Sequence, residues 1–143
     1  MDLRRAMLAL LLVIMVVLPL GAANAAPPVR LYYFHRNIRC TTCVALGDVT
    51  AWVAEVAFKE QVAAGELGFE IVNYQDKGNE HFVGDFDLEQ PSAVLAACRG
   101  DSVTAWRNLD RIWELSDKPK DLEAYLKGEI NAFLAAHGPG RRP

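Results

Sequence analysis

The chain has 143 residues, with 15 Lys and Arg against 18 Asp and Glu and a hydrophobic content of 52%, a length that fits one domain. This apolar fraction, which includes thirteen aromatic residues, can bury a sizeable core and excludes a disordered chain. Beyond residue 25 the balance becomes 13 basic against 17 acidic residues, so bulk electrostatics disfavour nucleic acid and anionic lipid as partners.

The N-terminus has the layout of a secretory signal. Arg4 and Arg5 precede an uncharged apolar run over residues 6–18, Pro19 breaks it, and small residues follow at 21–26. The run is too short for a bilayer-spanning helix, which needs roughly 20 apolar residues. Ala23 and Ala25 fit the cleavage rule, so residues 1–25 are expected to be removed. The mature chain, 26–143 with an ordered core over about 29–137, is then exported, periplasmic or secreted, without stable membrane insertion. Disulfides persist outside the cytosol, so its cysteines are candidate disulfide partners or redox groups.

After Pro27 and Pro28, the β-branched and aromatic run VRLYYFH predicts a first strand over 29–35. From 42 to 64 the apolar residues Leu46, Val49, Val53, Val56 and Ala57 recur at helical steps and predict one amphipathic helix, stopped by Gly65. FEIVNY predicts a second strand over 69–74, and a short helix is expected over 79–86. The runs 92–99 and 102–108, separated by Gly100 and Asp101, predict an antiparallel hairpin. Leu109, Ile112, Trp113 and Leu115 would pack through a helical turn. Pro119 then opens a last helix striped by Leu122, Leu126, Ile130, Phe133 and Leu134, which Gly138 and Pro139 end. The tail over 140–143 is expected to fray. The order β-α-β-α-β-β-α implies an α/β fold with a central four-stranded mixed sheet flanked by helices, parallel in its first half and antiparallel in its second.

The strongest chemical signal is Cys40-Thr41-Thr42-Cys43 at a strand-to-helix junction. Cys40 stands just ahead of the helix, where free backbone N–H groups and the helix dipole favour a thiolate over the ordinary thiol pKa of roughly 8.5. Arg39, Arg36 and His35 add positive charge beside it. Cys40 is therefore the candidate nucleophile, and Cys43, inside the first turn, the candidate resolving thiol. Three other readings stay open: an inert disulfide, a zinc site needing two further ligands, and a copper(I) site formed by Cys40, Cys43 and His35. An inert clip gains little, because a loop this short constrains the unfolded chain weakly. Pro91, 51 residues after Cys40, opens the third strand.

The order of elements, the CxxC after the first strand and Pro91 before the third resemble the thioredoxin-like superfamily. Within it, YYFHRNIRCTTC (32–43), VNYQ (72–75) and WRNLDRIWEL (106–115) resemble the exported proteins grouped as the nitrophenyl-compound nitroreductase subunit ArsF family, over residues 31–134. The resemblance implies a thioredoxin-like domain and a redox-active Cys40–Cys43 disulfide, with no other cofactor. Pro91 is implied to be a cis-proline facing the cysteines, and a protein disulfide or dithiol to be the partner. Gln90, Thr41, Thr42, Arg39 and His35 would support the site. The family label implies a part in nitroaromatic reduction, yet no Gly-rich dinucleotide fingerprint follows a strand, so that role would be as a thiol electron carrier. Thioredoxin itself has Trp before its first cysteine and Gly-Pro between the pair, where this chain has Arg39 and Thr41-Thr42. Its buried Asp, six residues before the first cysteine, is replaced by Phe34, leaving His35 as a substitute proton acceptor.

Cys98 is left over, and at the end of an apolar strand it reads as a small hydrophobe, with a third redox thiol or an intermolecular disulfide as the alternative. Trp52, Trp106 and Trp113 read as core or partner-facing packing, and His81 and His137 as solvent residues. The leading expectation is an exported thiol-disulfide oxidoreductase, and the rival a non-enzymatic module that binds copper or a partner subunit.

Overall fold

The structure, a computed structural model, describes residues 26–140. The expected signal segment and positions 141–143 of the expected tail lie outside the described residues. Strand β1 spans Val29–His35, helix α1 Thr41–Trp52, helix α2 Lys59–Ala63 and strand β2 Leu67–Asn73. The five-residue helix α3 (His81–Asp85), the hairpin β3 (Ser92–Arg99) and β4 (Ser102–Asn108), and helix α4 (Pro119–His137) follow. The four strands form one mixed sheet in the order β2-β1-β3-β4. β1 pairs with β2 in parallel and with β3 antiparallel, and β3 pairs antiparallel with β4.

β1 and β3 lie at the centre and are covered on both faces, which explains why they read as near-continuous apolar runs rather than alternating ones. On one face Val29, Leu31 and Tyr33 of β1 and Leu95 of β3 pack against Leu46 of α1 and against Leu126 and Ile130 of α4. On the other, Tyr32, Phe34, Val72 and Val94 meet Phe86 and Leu88 around α3. This second layer is thin and aromatic: the Phe34 ring lies 5.2 Å from Tyr32, 5.1 Å from Phe82 and 5.6 Å from Phe86, centroid to centroid.

The hairpin and α4 form where the sequence places them, with Pro119 in the first turn of α4 and Gly100 taking the left-handed φ of +63° in the hairpin turn. The expected helical turn beyond β4 is a short 3-10 turn over Asp110–Ile112. Two readings are corrected. β2 begins at Leu67 and ends at Asn73 because its register is set by β1, with Val29 opposite Leu67 and His35 opposite Asn73. The helix expected over 42–64 is interrupted by a π turn over Val53–Ala57, where the Phe58 N–H bonds to the Val53 carbonyl at 3.1 Å. One extra residue in that turn rotates the chain, so Ala54 and Phe58 are buried while Val56, expected in the core, is half exposed and Ala57 faces solvent.

Burial pushes the phenol of Tyr33 up to about 12, against an opposing pull from Arg39. The neutral form is thus favoured in the folded state relative to an unfolded value near 10. That contribution is complete below pH 10 and disappears as the pH rises through 12, so chemical denaturation is expected to show a loss of about 3 kcal/mol from this group over this window. Burial likewise pushes Tyr125 up to about 12, so Tyr33→Phe should reduce the alkaline loss without abolishing it, and an equally steep loss in that variant would contradict the assignment to Tyr33.

Candidate functional site

Cys40 is the N-cap of α1, with extended backbone (φ −73°, ψ 161°), and its Sγ accepts the N–H of Cys43 at 3.0 Å. The Cys40 carbonyl takes the first helical bond, from Val44 N–H at 3.0 Å. The motif closes on itself because a helix start brings residues three apart together: Cys40 and Cys43 are joined by a disulfide, with Cα atoms 5.0 Å apart. Cys40 is exposed, whereas Cys43 is buried at 6%. Beneath the helix, the buried Tyr33 hydroxyl donates to the Cys43 carbonyl at 2.5 Å.

The loop that delivers Cys40 to the helix is exposed but braced. Arg36 Nε donates to the Tyr74 hydroxyl at 2.5 Å, and its Nη2 donates to the Glu89 carbonyl at 2.9 Å. One side chain thereby ties the β1–α1 loop to the segment after β2 and to the segment that leads into β3. Asn37 N–H donates to Gln75 Oε1 at 2.8 Å, and Asn73 Nδ2 donates to Asn37 Oδ1 at 2.6 Å. His35, half buried, spends its Nδ1–H on the Arg36 carbonyl at 2.8 Å. Arg39 folds back over α1, its Nη2 lying 2.9 Å from where a Cβ on Gly47 would stand. Ile38 is 89% exposed, an apolar side chain in full contact with water two residues before Cys40.

Pro91 reaches the same end of the sheet, since Phe34 pairs with Ser92 and Pro91 is the next residue out. It is buried, and its carbonyl accepts the indole N–H of Trp113 at 2.7 Å. The expected cis bond is not found: among the described residues every peptide bond is trans. Trans remains the intrinsically preferred isomer of an X–Pro bond by about 0.5–1 kcal/mol, and the chain enters β3 without inverting it. Gln90 is exposed and contributes its carbonyl to the Ser92 hydroxyl at 3.1 Å. Thr41 is exposed and Thr42 half buried on the first turn of α1.

Cys98 belongs elsewhere. Its N–H donates to the Pro28 carbonyl at 2.7 Å, and the register Val29 to Ala97 puts it at the opposite end of β1 from the disulfide. The length of that strand separates them by roughly 20 Å. Burial pushes the Cys98 thiol up, with Arg30 acting in the opposite sense, so it is protonated at neutral pH. Trp52 and Trp106 are 45% and 39% exposed, on α1 and β4. His81 pairs with Asp85 in solvent at 2.7 Å, whereas His137, expected in solvent, is half buried against Phe133 with ring centroids 4.5 Å apart.

For the copper alternative, Cys40, Cys43 and His35 share one end of the sheet; the disulfide leaves neither sulfur as a thiolate in the oxidised state, and the Nδ1–H of His35, bonded to the Arg36 carbonyl, would leave Nε2 as the coordinating nitrogen. Among the described residues no three His, Cys, Asp or Glu side chains gather as a metal-binding group. Tyr33, Tyr74 and Glu89 are the site's neighbours that sequence reasoning missed. The paired tyrosines of the buried strand VRLYYFH were the available signal, because a buried hydroxyl needs a partner. The chain matches no protein-family model, and no curated protein is significantly similar to it.

Proposed function

We propose that the protein is an exported thiol-disulfide oxidoreductase, or thiol electron carrier, of the thioredoxin-like kind. The observation that carries this reading is the asymmetry of the Cys40–Cys43 disulfide: Cys40 is exposed at a helix N-terminus and accepts a backbone N–H, while Cys43 is buried. A β1-α1-β2 parallel unit extended by an antiparallel hairpin, with Pro91 ahead of β3, supports the fold assignment.

In the reducing direction the Cys40 thiolate attacks one sulfur of a partner disulfide. A Cys40–partner disulfide forms, and the other partner sulfur leaves as a thiolate. Deprotonated Cys43 then attacks Cys40 Sγ, re-forming the Cys40–Cys43 bond and releasing the second partner sulfur. Two electrons pass from the cysteine pair to the partner, and the released thiolates take up protons from water. Arg36 and Asn37 hold the loop in which Cys40 sits, and the helix start stabilises the thiolate. Export follows from the signal layout over residues 1–25, and the family resemblance leaves nitroaromatic reduction as a downstream use of the same electrons.

The test is the reduction potential of the pair, obtained by equilibrating the purified protein in glutathione buffers and quantifying trapped thiols by mass spectrometry. A reversible value between roughly −120 and −270 mV is expected of an exchange-active pair. A pair that stays oxidised below about −300 mV would mark a structural disulfide and overturn the proposal.

A further inference from the structure

Tyr33 stands where a phenylalanine would fill the core equally well. Its ring is fully buried, yet the hydroxyl is not spent on a neighbouring side chain: it reaches the backbone of the motif, donating to the Cys43 carbonyl at 2.5 Å. That carbonyl has a second lone pair beyond its helical bond, so both donors can be accommodated. Space for the phenol is reserved in α1 itself. A Cβ on Gly47 would lie 2.8 Å from Cε1 of Tyr33, closer than real Cβ contacts allow, 3.0 Å from its Cδ1, and 2.9 Å from Nη2 of the flexible Arg39. Glycine inside a helix is unfavourable relative to alanine, and the close approach of the Tyr33 ring accounts for its presence here.

The same residue that Tyr33 holds by its carbonyl presents its N–H to Cys40 Sγ at 3.0 Å. We propose that Tyr33 is a positioning residue for the Cys40 sulfur: by anchoring the Cys43 backbone from the core side, its hydroxyl keeps the Cys43 N–H aimed at Cys40. An N–H bond to a thiolate is charge-assisted and roughly twice as strong as one to a neutral acceptor. Correct aim therefore matters most in the reduced, ionised state, and Tyr33 biases the pair toward a reactive Cys40. The inference rests on the oxidoreductase reading for its biological meaning and on geometry alone for its chemistry.

The experiment compares wild type with Tyr33→Phe, which removes one oxygen and keeps the ring. After full reduction with excess dithiothreitol and removal of the reductant, the rate of Cys40 alkylation is followed against pH by peptide mass spectrometry. The midpoint is expected to rise by about half a pH unit, a threefold loss of thiolate on the scale of one modest hydrogen bond. The glutathione equilibrium should shift about threefold toward the disulfide. A folded Tyr33→Phe variant with the wild-type midpoint and equilibrium would overturn the inference. If that variant fails to fold, Gly47→Ala retains the hydroxyl but crowds the ring; because the added Cβ also presses on Arg39, it is compared with its parent in an Arg39→Ala background, where the same upward movement supports the inference and an unmoved midpoint overturns it. Wild type that resists glutathione but yields to dithiothreitol would sink the oxidoreductase reading, while the alkylation midpoint would still decide the role of Tyr33 by itself.

Discussion

Cys40→Ser is expected to abolish disulfide exchange, whereas Cys43→Ser should leave the first step intact and accumulate a stable mixed disulfide, up to one equivalent of partner per chain. The expectation follows from the unequal exposure of the two sulfurs. A partner disulfide can approach Cys40, which is open to solvent at the helix N-cap, but not Cys43, which is 6% exposed beneath the first turn. Without Cys43 nothing attacks the mixed disulfide from within, so the intermediate persists. Either variant also loses a disulfide that closes a very short loop, worth roughly 2 kcal/mol in the chain-entropy account, a loss a fold of ordinary stability survives. Non-reducing mass spectrometry after mixing with a disulfide-bearing substrate reads the outcome. Adduct formation by Cys40→Ser, with none by Cys43→Ser, would reverse the assigned roles.

Phe34→Ala is expected to destabilise the fold by about 3–5 kcal/mol, the range for truncating a fully buried aromatic. Phe34 has no exposed surface and forms the middle of the thin layer between the sheet and α3, in contact with Tyr32, Phe82 and Phe86. A five-residue helix cannot rearrange to fill a cavity of that size, because it is held largely by the aromatic rings that Phe34 touches. For a domain of this length the melting temperature should fall by about 10 °C or more. Urea denaturation gives the free energy directly, and a loss below about 1 kcal/mol would mean that this layer is not packed in solution. The position also joins the fold to the site, since Phe34 pairs with Ser92, next to Pro91, and is followed by the loop that carries Cys40.

Much of the architecture was legible in the amino-acid order. The bounds of β1, β3 and β4 and the start of α4 are written in local chemistry: β-branched and aromatic runs, a Gly-Asp turn, and a proline that suits a first helical turn. The long helix was not fully legible. Val56 and Ala57 continue the helical spacing on paper, but the π turn over Val53–Ala57 inserts a residue into the repeat and turns them outward. Periodicity assumes an unbroken helix, and packing against the sheet decides whether it is one. β2 likewise takes its ends from β1, because an edge strand runs as far as its partner offers hydrogen bonds.

By itself the sequence determined that two cysteines stand three apart where a strand gives way to a helix, and this spacing alone brings their sulfurs within reach of each other. It also carried the local signals of β1, β3 and β4 and the chain order from which a mixed sheet follows, whereas the ends of β2 came from pairing with β1. The tertiary structure decided what surrounds the pair. Tyr33 reaches Cys43 across ten residues, Arg36 reaches Tyr74 across 38 and Glu89 across 53, and Cys98 is carried to the far end of the sheet. Those relations depend on register and side-chain direction, which exist only once the strands have paired and the helix has packed down upon them.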